Sequence, residues 1–263
     1  MSEVWRGTWV VAYRELLRFV NERSRLIGSF AQPLVFLVIF GAGFGNMIGA
    51  LAPGVDFIQF MYPGIIAMGV LTTALVAGVS GVWDREFGFL RELLVAPLGR
   101  SGIVLGKALG ACVVALLQMG LMLVIAPIVG IDLELSMIVR LVPIVIVLSV
   151  ALSGLGILIA SFMRSQQGFQ LLIQLLIFPL IFLAGVFFPV NQAPTWLQVL
   201  SKFNPMTYGV DAIRQVFLGT DTTGAIVVEV FGRTVTVLEE VILMAVIAVP
   251  LLGAAIWAFR RQE

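Results

Sequence analysis

Apolar residues run along this chain in long stretches broken only by charged positions, and six of the charge-free stretches are long enough to cross a bilayer. They are Leu26 to Val55, Phe57 to Trp83, Ala108 to Ile131, Leu141 to Met163, Ser165 to Ser201 and Val241 to Phe259. A hydrocarbon core takes roughly 20 apolar residues in helical form, and helices or closed barrels alone satisfy their backbone there. The pattern predicts an all-α polytopic membrane protein with six transmembrane helices. The fifth stretch is too long for one span, and its punctuation near Pro189 predicts a helix over Phe169 to Phe188 followed by external chain.

Shorter patterns fill the intervals. Between Val4 and Val20, one helical stripe holds Trp5, Trp9, Tyr13, Leu16 and Val20, away from Arg14, Glu15 and Arg18. That predicts an interfacial amphipathic helix, either a headgroup anchor or a lever that also touches a cytoplasmic partner. From Asp84 to Leu98, Phe87, Leu90 and Leu94 recur at i, i+3, i+7, with Arg85, Arg91 and Glu92 elsewhere and Pro97 as the stop. Such a helix lies flat on lipid or docks into a partner's groove. Beyond Pro189, two short helices are predicted. One runs from Pro194 to Lys202 around Trp196; the other from Pro205 to Leu218, capped by Asn204 with Pro205 in the first helical position. Lying between two spans, this pair should dip back into the outer leaflet. Gly219 to Glu240 alternates enough to suggest a small external strand or hairpin. Glycines at four-residue spacing, Gly41, Gly45, Gly49 and again Gly102, Gly106, Gly110, make grooves that admit another helix closely. Pro33, Pro143, Pro179 and Pro250 fall inside spans, where kinks are tolerated.

Composition agrees with this reading: 60% of residues are hydrophobic and 12% charged, with a mean hydropathy of +1.08. Charge distribution adds orientation. Taken alternately, the segments outside the spans hold twelve basic residues in one set and four in the other, Arg140, Lys202, Arg214 and Arg233. The positive-inside rule then puts both termini in the cytoplasm. The first 25 residues carry eight charges and no cleavable signal pattern, so the first span is expected to direct insertion. Cys112 is the single cysteine and His is absent, which removes an intrachain disulfide and the commonest general base and zinc ligand.

The residue types for intramembrane catalysis are missing. SGIVLGKAL imitates a phosphate loop at Gly106-Lys107, but Ser101 replaces its first glycine and Ala108 its metal-ligating hydroxyl. Lys107 reads instead as an inside anchor whose ammonium reaches the interface. Ser149 and Ser153 read as small packing residues. Gln118 lies in the third span, and Gln167, Gln170 and Gln174 form a stripe in the fifth; they are expected to face protein or a substrate path. With no charge buried in the spans, a proton-driven transporter or a charged-ring channel is disfavoured, and the energy for transport should enter from outside the membrane core.

The order of these elements, with EFGFLRELLVAPLGR over Glu86 to Arg100 and FLAGVFFPVNQAPTW...FNPMTYGVDAIR later, resembles the type-2 export permeases of ATP-binding-cassette (ABC) transporters. Within these it is most similar to the bacterial daunorubicin-resistance-type multidrug permeases. The resemblance implies a single permease domain over residues 1–263, with an interfacial helix in 1–25, a coupling helix in 84–98 and an external re-entrant segment in 189–240. It implies that Glu86, Phe87, Gly88, Leu90, Arg91, Glu92, Leu94 and Pro97 dock into an ATPase. Trp5, Trp9, Arg14 and Arg18 belong to the interfacial helix, and Trp196, Asn204, Pro205, Tyr208 and Arg214 to the external element. Expected partners are two copies of an ABC ATPase carrying ATP and Mg, a second identical or related permease chain, and the prokaryotic plasma membrane; no nucleic acid and no cofactor on this chain are expected. The substrate would be hydrophobic or amphipathic, exported from the cytoplasm or inner leaflet. Export of a lipid-linked glycan or polysaccharide is the alternative within the family, and a stand-alone channel or secondary transporter the alternative outside it.

Overall fold

The computed structural model describes residues 3–44, 57–86, 100–131, 133–219, 229–230 and 233–261. Its helices are α1 (Glu3–Asn21), α2 (Arg23–Phe44), α3 (Phe57–Val76), α4 (Val79–Glu86), α5 (Arg100–Ile125), α6 (Leu135–Phe162), α7 (Gln166–Leu183), α8 (Thr195–Ser201), α9 (Pro205–Leu218) and α10 (Val237–Arg260). Short 3₁₀ turns follow α5 and precede α8. The expected external hairpin is confined, among the described residues, to β1 (Glu229–Val230) paired antiparallel with β2 (Arg233–Thr234).

Five segments among the described residues are long and apolar enough to span a bilayer: Phe57–Trp83, Ser101–Ile128, Leu135–Phe162, Gln166–Leu183 and Val237–Arg260. The first predicted span does not reach that standard, because the apolar part of α2 is the shorter Ile27–Gly41. The rest of that stretch, 45–55, lies outside the described residues.

The bundle is built around α3, which is buried at every position from Phe60 to Leu71 and packs against α2, α5, α6 and α9. Burial all round is what a uniformly apolar helix produces when the charged residues sit only at its ends. Glycine sets the closest contacts. A Cβ on Gly102 or Gly106 of α5 would lie 2.7 Å from the Val4 or Thr8 carbonyl oxygen, and one on Gly110 would lie 2.8 Å from Cβ of Glu15. The second glycine stripe of the sequence is therefore the bed of α1. That helix buries Thr8, Val11, Ala12 and Phe19 and leaves Trp5, Trp9, Tyr13 and Val20 exposed. Between α3 and α6, a Cβ on Gly156 would collide with the Leu75 carbonyl and one on Gly78 with the Gly156 carbonyl. From the other stripe, Gly41 faces Ile58, while Gly45 and Gly49 lie outside the described residues.

Helix ends follow local chemistry. Ser165 Oγ accepts from the Gly168 N–H at the start of α7, and α7 stops at Leu183 rather than Phe188 because the chain turns through Gly185 at φ +71°, a conformation glycine adopts freely. Asn204 caps α9 with Pro205 in its first turn. Thr236 and Glu239 form a capping box at α10.

Candidate substrate cavity and its two ends

Helices α2, α3, α4 and α7, with the end of α1, line a half-open cavity of about 530 Å³. Its walls are largely apolar, from Phe36, Met68, Val76, Phe169, Ile173, Ile177 and Phe178. One side carries amides, with Gln166, Gln170 and Gln174 on α7 facing Gln32 on α2 and Thr72 on α3. Spacing of i, i+4, i+8 keeps the three α7 amides in line along one helix face. At one end stand Arg18 and Glu22 from α1 and Trp83 from α4. The Arg18 guanidinium lies over the Trp83 indole, 4.8 Å from its centroid, an attraction between a cation and the negative face of the ring. An apolar chamber with a line of uncharged donors and acceptors suits an amphipathic solute.

The sequence-predicted path residues divide here. Gln170 and Gln174 line the cavity, but Gln167 does not and its place is taken by Gln166. Gln118 is not in the cavity: its Oε1 accepts from Thr73 Oγ1 at 2.6 Å and its Nε2 donates to the Ser29 carbonyl at 2.9 Å. It ties α2, α3 and α5 together. Helical spacing put an amide stripe on α7 but left its phase uncertain by one residue. Gln32, Thr72 and Trp83 were missed because each sits singly in an apolar run.

At the Arg18 end, Glu86 closes α4 and accepts the Gln166 backbone N–H at 2.9 Å, holding the first turn of α7 against the end of α4. The remaining coupling residues, Phe87, Gly88, Leu90, Arg91, Glu92, Leu94 and Pro97, lie outside the described residues. On α1, Arg14 pairs with Glu15 at 3.5 Å, and Trp5 and Trp9 point outward. Lys107 corrects the sequence reading. Instead of reaching the interface it is 1% exposed, donates to Ser80 Oγ and lies 4.0 Å from Glu15 Oε1. The cause is α1, which lies over this part of α5 and covers the ammonium.

At the opposite end, α9 holds the last turn of α7. Asn204 Oδ1 accepts from Met206 N–H at 3.0 Å, while its Nδ2 donates to the Leu180 carbonyl at 2.8 Å. Thr207 Oγ1 donates to the Leu183 carbonyl at 3.2 Å, and Arg214 Nη2 to the Gly185 carbonyl at 2.8 Å. A helix C-terminus leaves carbonyls to be satisfied, and α9 supplies side-chain donors to three carbonyls in and just beyond that turn. Arg214 also stacks on Phe60 at 4.1 Å, and burial pushes its guanidinium down to about 10 against the pull of Asp211 and Glu240. Tyr208 Oη donates to the Lys202 carbonyl at 2.8 Å; Pro205 is buried and Trp196 exposed. Although the sequence reading set no charge within the spans, Lys107, Asp211, Arg214 and Glu240 are all at most 2% exposed. Three of these four belong to the segment read as external and re-entrant, and they are buried where α9 and the start of α10 pack against each other and the bundle.

Comparison with known proteins agrees with this architecture. Residues 6–218, spanning α1 to α9, match the ABC-2 type transporter family. The chain is similar to nodulation protein J of Rhizobium leguminosarum bv. trifolii, 30% identical over 218 residues, covering 82% of this chain and 80% of that protein. It is also similar to the putative transport permease ycf38 of Cyanophora paradoxa, 31% identical over 215 residues, 80% of this chain and 73% of that one. The probable multidrug ABC transporter permease YbhR of Escherichia coli strain K12 is 33% identical over 173 residues, 63% of this chain and 45% of YbhR. With the family matched over most of its length on a bundle of membrane-crossing helices, this chain belongs to the ABC-2 type transporters as a multi-pass permease subunit.

Proposed function

We propose that this chain is the membrane subunit of an ATP-driven exporter that moves hydrophobic or amphipathic small molecules out of the cytoplasm or inner leaflet. The observation that carries this reading is the cavity: a largely apolar chamber of about 530 Å³ with an amide line on α7 and an Arg18–Trp83 pair at one end. The likeness to a protein named as a probable multidrug permease supports the same substrate class. Families of this kind work with an ABC ATPase. Hydrolysis would reside on two partner ATPase chains with their ATP and Mg, and residues 86–97 would be the helix that docks there. In this reading α2 is the first of six spans, both termini are cytoplasmic, and the protein sits in a prokaryotic plasma membrane. α8 and α9 are the external re-entrant pair.

A second permease chain would cover the apolar side chains that α2 and α7 leave exposed, among them Val35, Val38, Leu171 and Leu175, and so close the cavity from its open side. ATP binding would draw the two docking helices together, and the rigid-body shift would open the chamber alternately to each side. The test is purification in mild detergent followed by reconstitution. An ATPase with a true phosphate loop should copurify and drive efflux of amphipathic dyes. Phe87→Asp with Leu94→Asp should abolish copurification and efflux, and Gln170→Leu with Gln174→Leu should change which dyes are carried. Efflux from liposomes that hold no ATPase would refute the reading in favour of a stand-alone transporter.

A further inference from the structure

Helix α7 turns two parallel rows of side chains to the cavity. Gln166, Gln170 and Gln174 recur every four residues in one row, and Phe169, Ile173 and Ile177 in the row beside it. Residues four apart on a helix form a ridge that climbs along its axis, so the boundary between polar and apolar wall runs lengthwise and not across the chamber. At 1.5 Å of rise per residue, the outer two amides stand about 12 Å apart. The apolar row is the deeper one, with Phe169 1% and Ile173 3% exposed, whereas Gln170 and Gln174 are exposed. Gln32 of α2 adds a further amide to the lining. Among the described residues no side-chain hydrogen bond uses Gln32, Gln170 or Gln174, while Thr72 directs its hydroxyl to the Met68 and Gly69 carbonyls of its own helix. An amide on a membrane-crossing helix carries two N–H donors and a carbonyl, which hydrocarbon leaves unsatisfied. Charge enters the lining only at the α1 end, as Arg18 and Glu22. A solute with a head and a tail needs its polar partners gathered at one end; this wall offers uncharged partners along its length.

We propose that the chamber takes an uncharged facial amphiphile, an extended solute with hydroxyl or carbonyl groups spaced along one edge and hydrocarbon along the other. Its polar edge pairs with Gln166, Gln170 and Gln174, and its apolar edge lies on Phe169, Ile173 and Ile177. Because an amide both donates and accepts, each position takes a hydroxyl or a carbonyl equally. The proposal rests on the reading of this cavity as the substrate chamber and narrows the class of substrate.

Equilibrium binding to the full chain in nanodiscs tests it, with empty nanodiscs as the background for partition into lipid. Three uncharged probes are compared. One is the tetrol made by reducing the carboxyl of cholic acid, with hydroxyls along one face of its rings. The second is the diol made in the same way from lithocholic acid, with a single ring hydroxyl; the third is decyl maltoside, with every hydroxyl at one end. Wild type should bind the tetrol most tightly. Gln166→Leu, Gln170→Leu and Gln174→Leu should each weaken it about three- to tenfold, the worth of one neutral hydrogen bond, while the other two probes lose affinity at one position at most. The ranking on wild type needs no variant and stands if a leucine variant fails to fold. Decyl maltoside bound as tightly as the tetrol, or a tetrol loss confined to one glutamine, would overturn the facial reading and leave the cavity as the substrate chamber. Tetrol affinity unmoved in all three variants, with weaker self-association of the chain, would give the amides to a second permease chain and overturn it too. Failure to bind any probe, with ATPase-driven dye efflux intact, would overturn this proposal alone. Efflux without an ATPase would refute the exporter reading and leave a lengthwise pattern of binding losses standing.

Discussion

Asn204 offers the sharpest quantitative test of how α9 is held, because its two ends do separate things. It is 4% exposed, and its Oδ1 caps α9 while its Nδ2 crosses to the Leu180 carbonyl of α7. Asn204→Ala removes both. Loss of a helix N-cap costs about 1 kcal/mol, and loss of a buried neutral hydrogen bond about 1 kcal/mol more. Asn204→Ser keeps an oxygen able to cap but is too short to reach Leu180, so it should lose about half as much. At about 2–4 °C per kcal/mol for a chain of this size, the alanine variant should melt about 4–8 °C lower and the serine variant about 2–4 °C lower. The assay is thermal unfolding in one detergent at fixed pH, followed by tryptophan fluorescence. Equal midpoints for Ser and Ala would show that the cap contributes nothing, and equal midpoints for wild type and Ser that the bridge to α7 contributes nothing. Equal midpoints for wild type and Ala would refute both roles.

Two further outcomes follow from the packing. Gly106→Leu should lift α1 from α5, since even a Cβ there would lie 2.7 Å from the Thr8 carbonyl; a loss of about 1–3 kcal/mol is expected, with faster tryptic cleavage at Arg14 and Arg18, and an unchanged cleavage rate would count against this seat for α1. Gln118→Leu should destabilise by about 1–2 kcal/mol, because the Thr73 hydroxyl and the Ser29 carbonyl lose their partner. Combined with Thr73→Val, the total loss should be smaller than the sum of the two single losses; strict additivity would mean that the Thr73–Gln118 bond carries no energy.

Much of the fold was legible because lipid imposes a one-dimensional rule on sequence. A helix that crosses hydrocarbon must be long and free of charge, so α3, α5, α6, α7 and α10 are visible as gaps between charges. Helix starts were legible where capping is local, as at Asn204-Pro205. For α2 the apolar part among the described residues, Ile27–Gly41, is shorter than that rule asks. Burial of Arg214, Asp211 and Glu240 was not legible, because the packing of α9 against α10 that buries them joins separate elements of the chain. The amide stripe on α7 was visible as a pattern; that Gln166 rather than Gln167 belongs to it depends on how α7 is rotated against α2 and α3.

The sequence by itself determined the class of protein, the approximate limits of most helices, the polar stripe on α7 and the small-residue face of α5. These depend on composition and spacing along one helix, which the chain carries locally. Only the tertiary structure decided that α1 fills the Gly102–Gly106–Gly110 groove and covers Lys107, that Gln118 braces three helices away from the cavity, and that Asp211, Arg214 and Glu240 are buried where α9 packs on α10. Each of these joins residues far apart in the chain, and the energies that bring them together, close packing over glycine and satisfaction of buried polar groups, arise only once the helices touch.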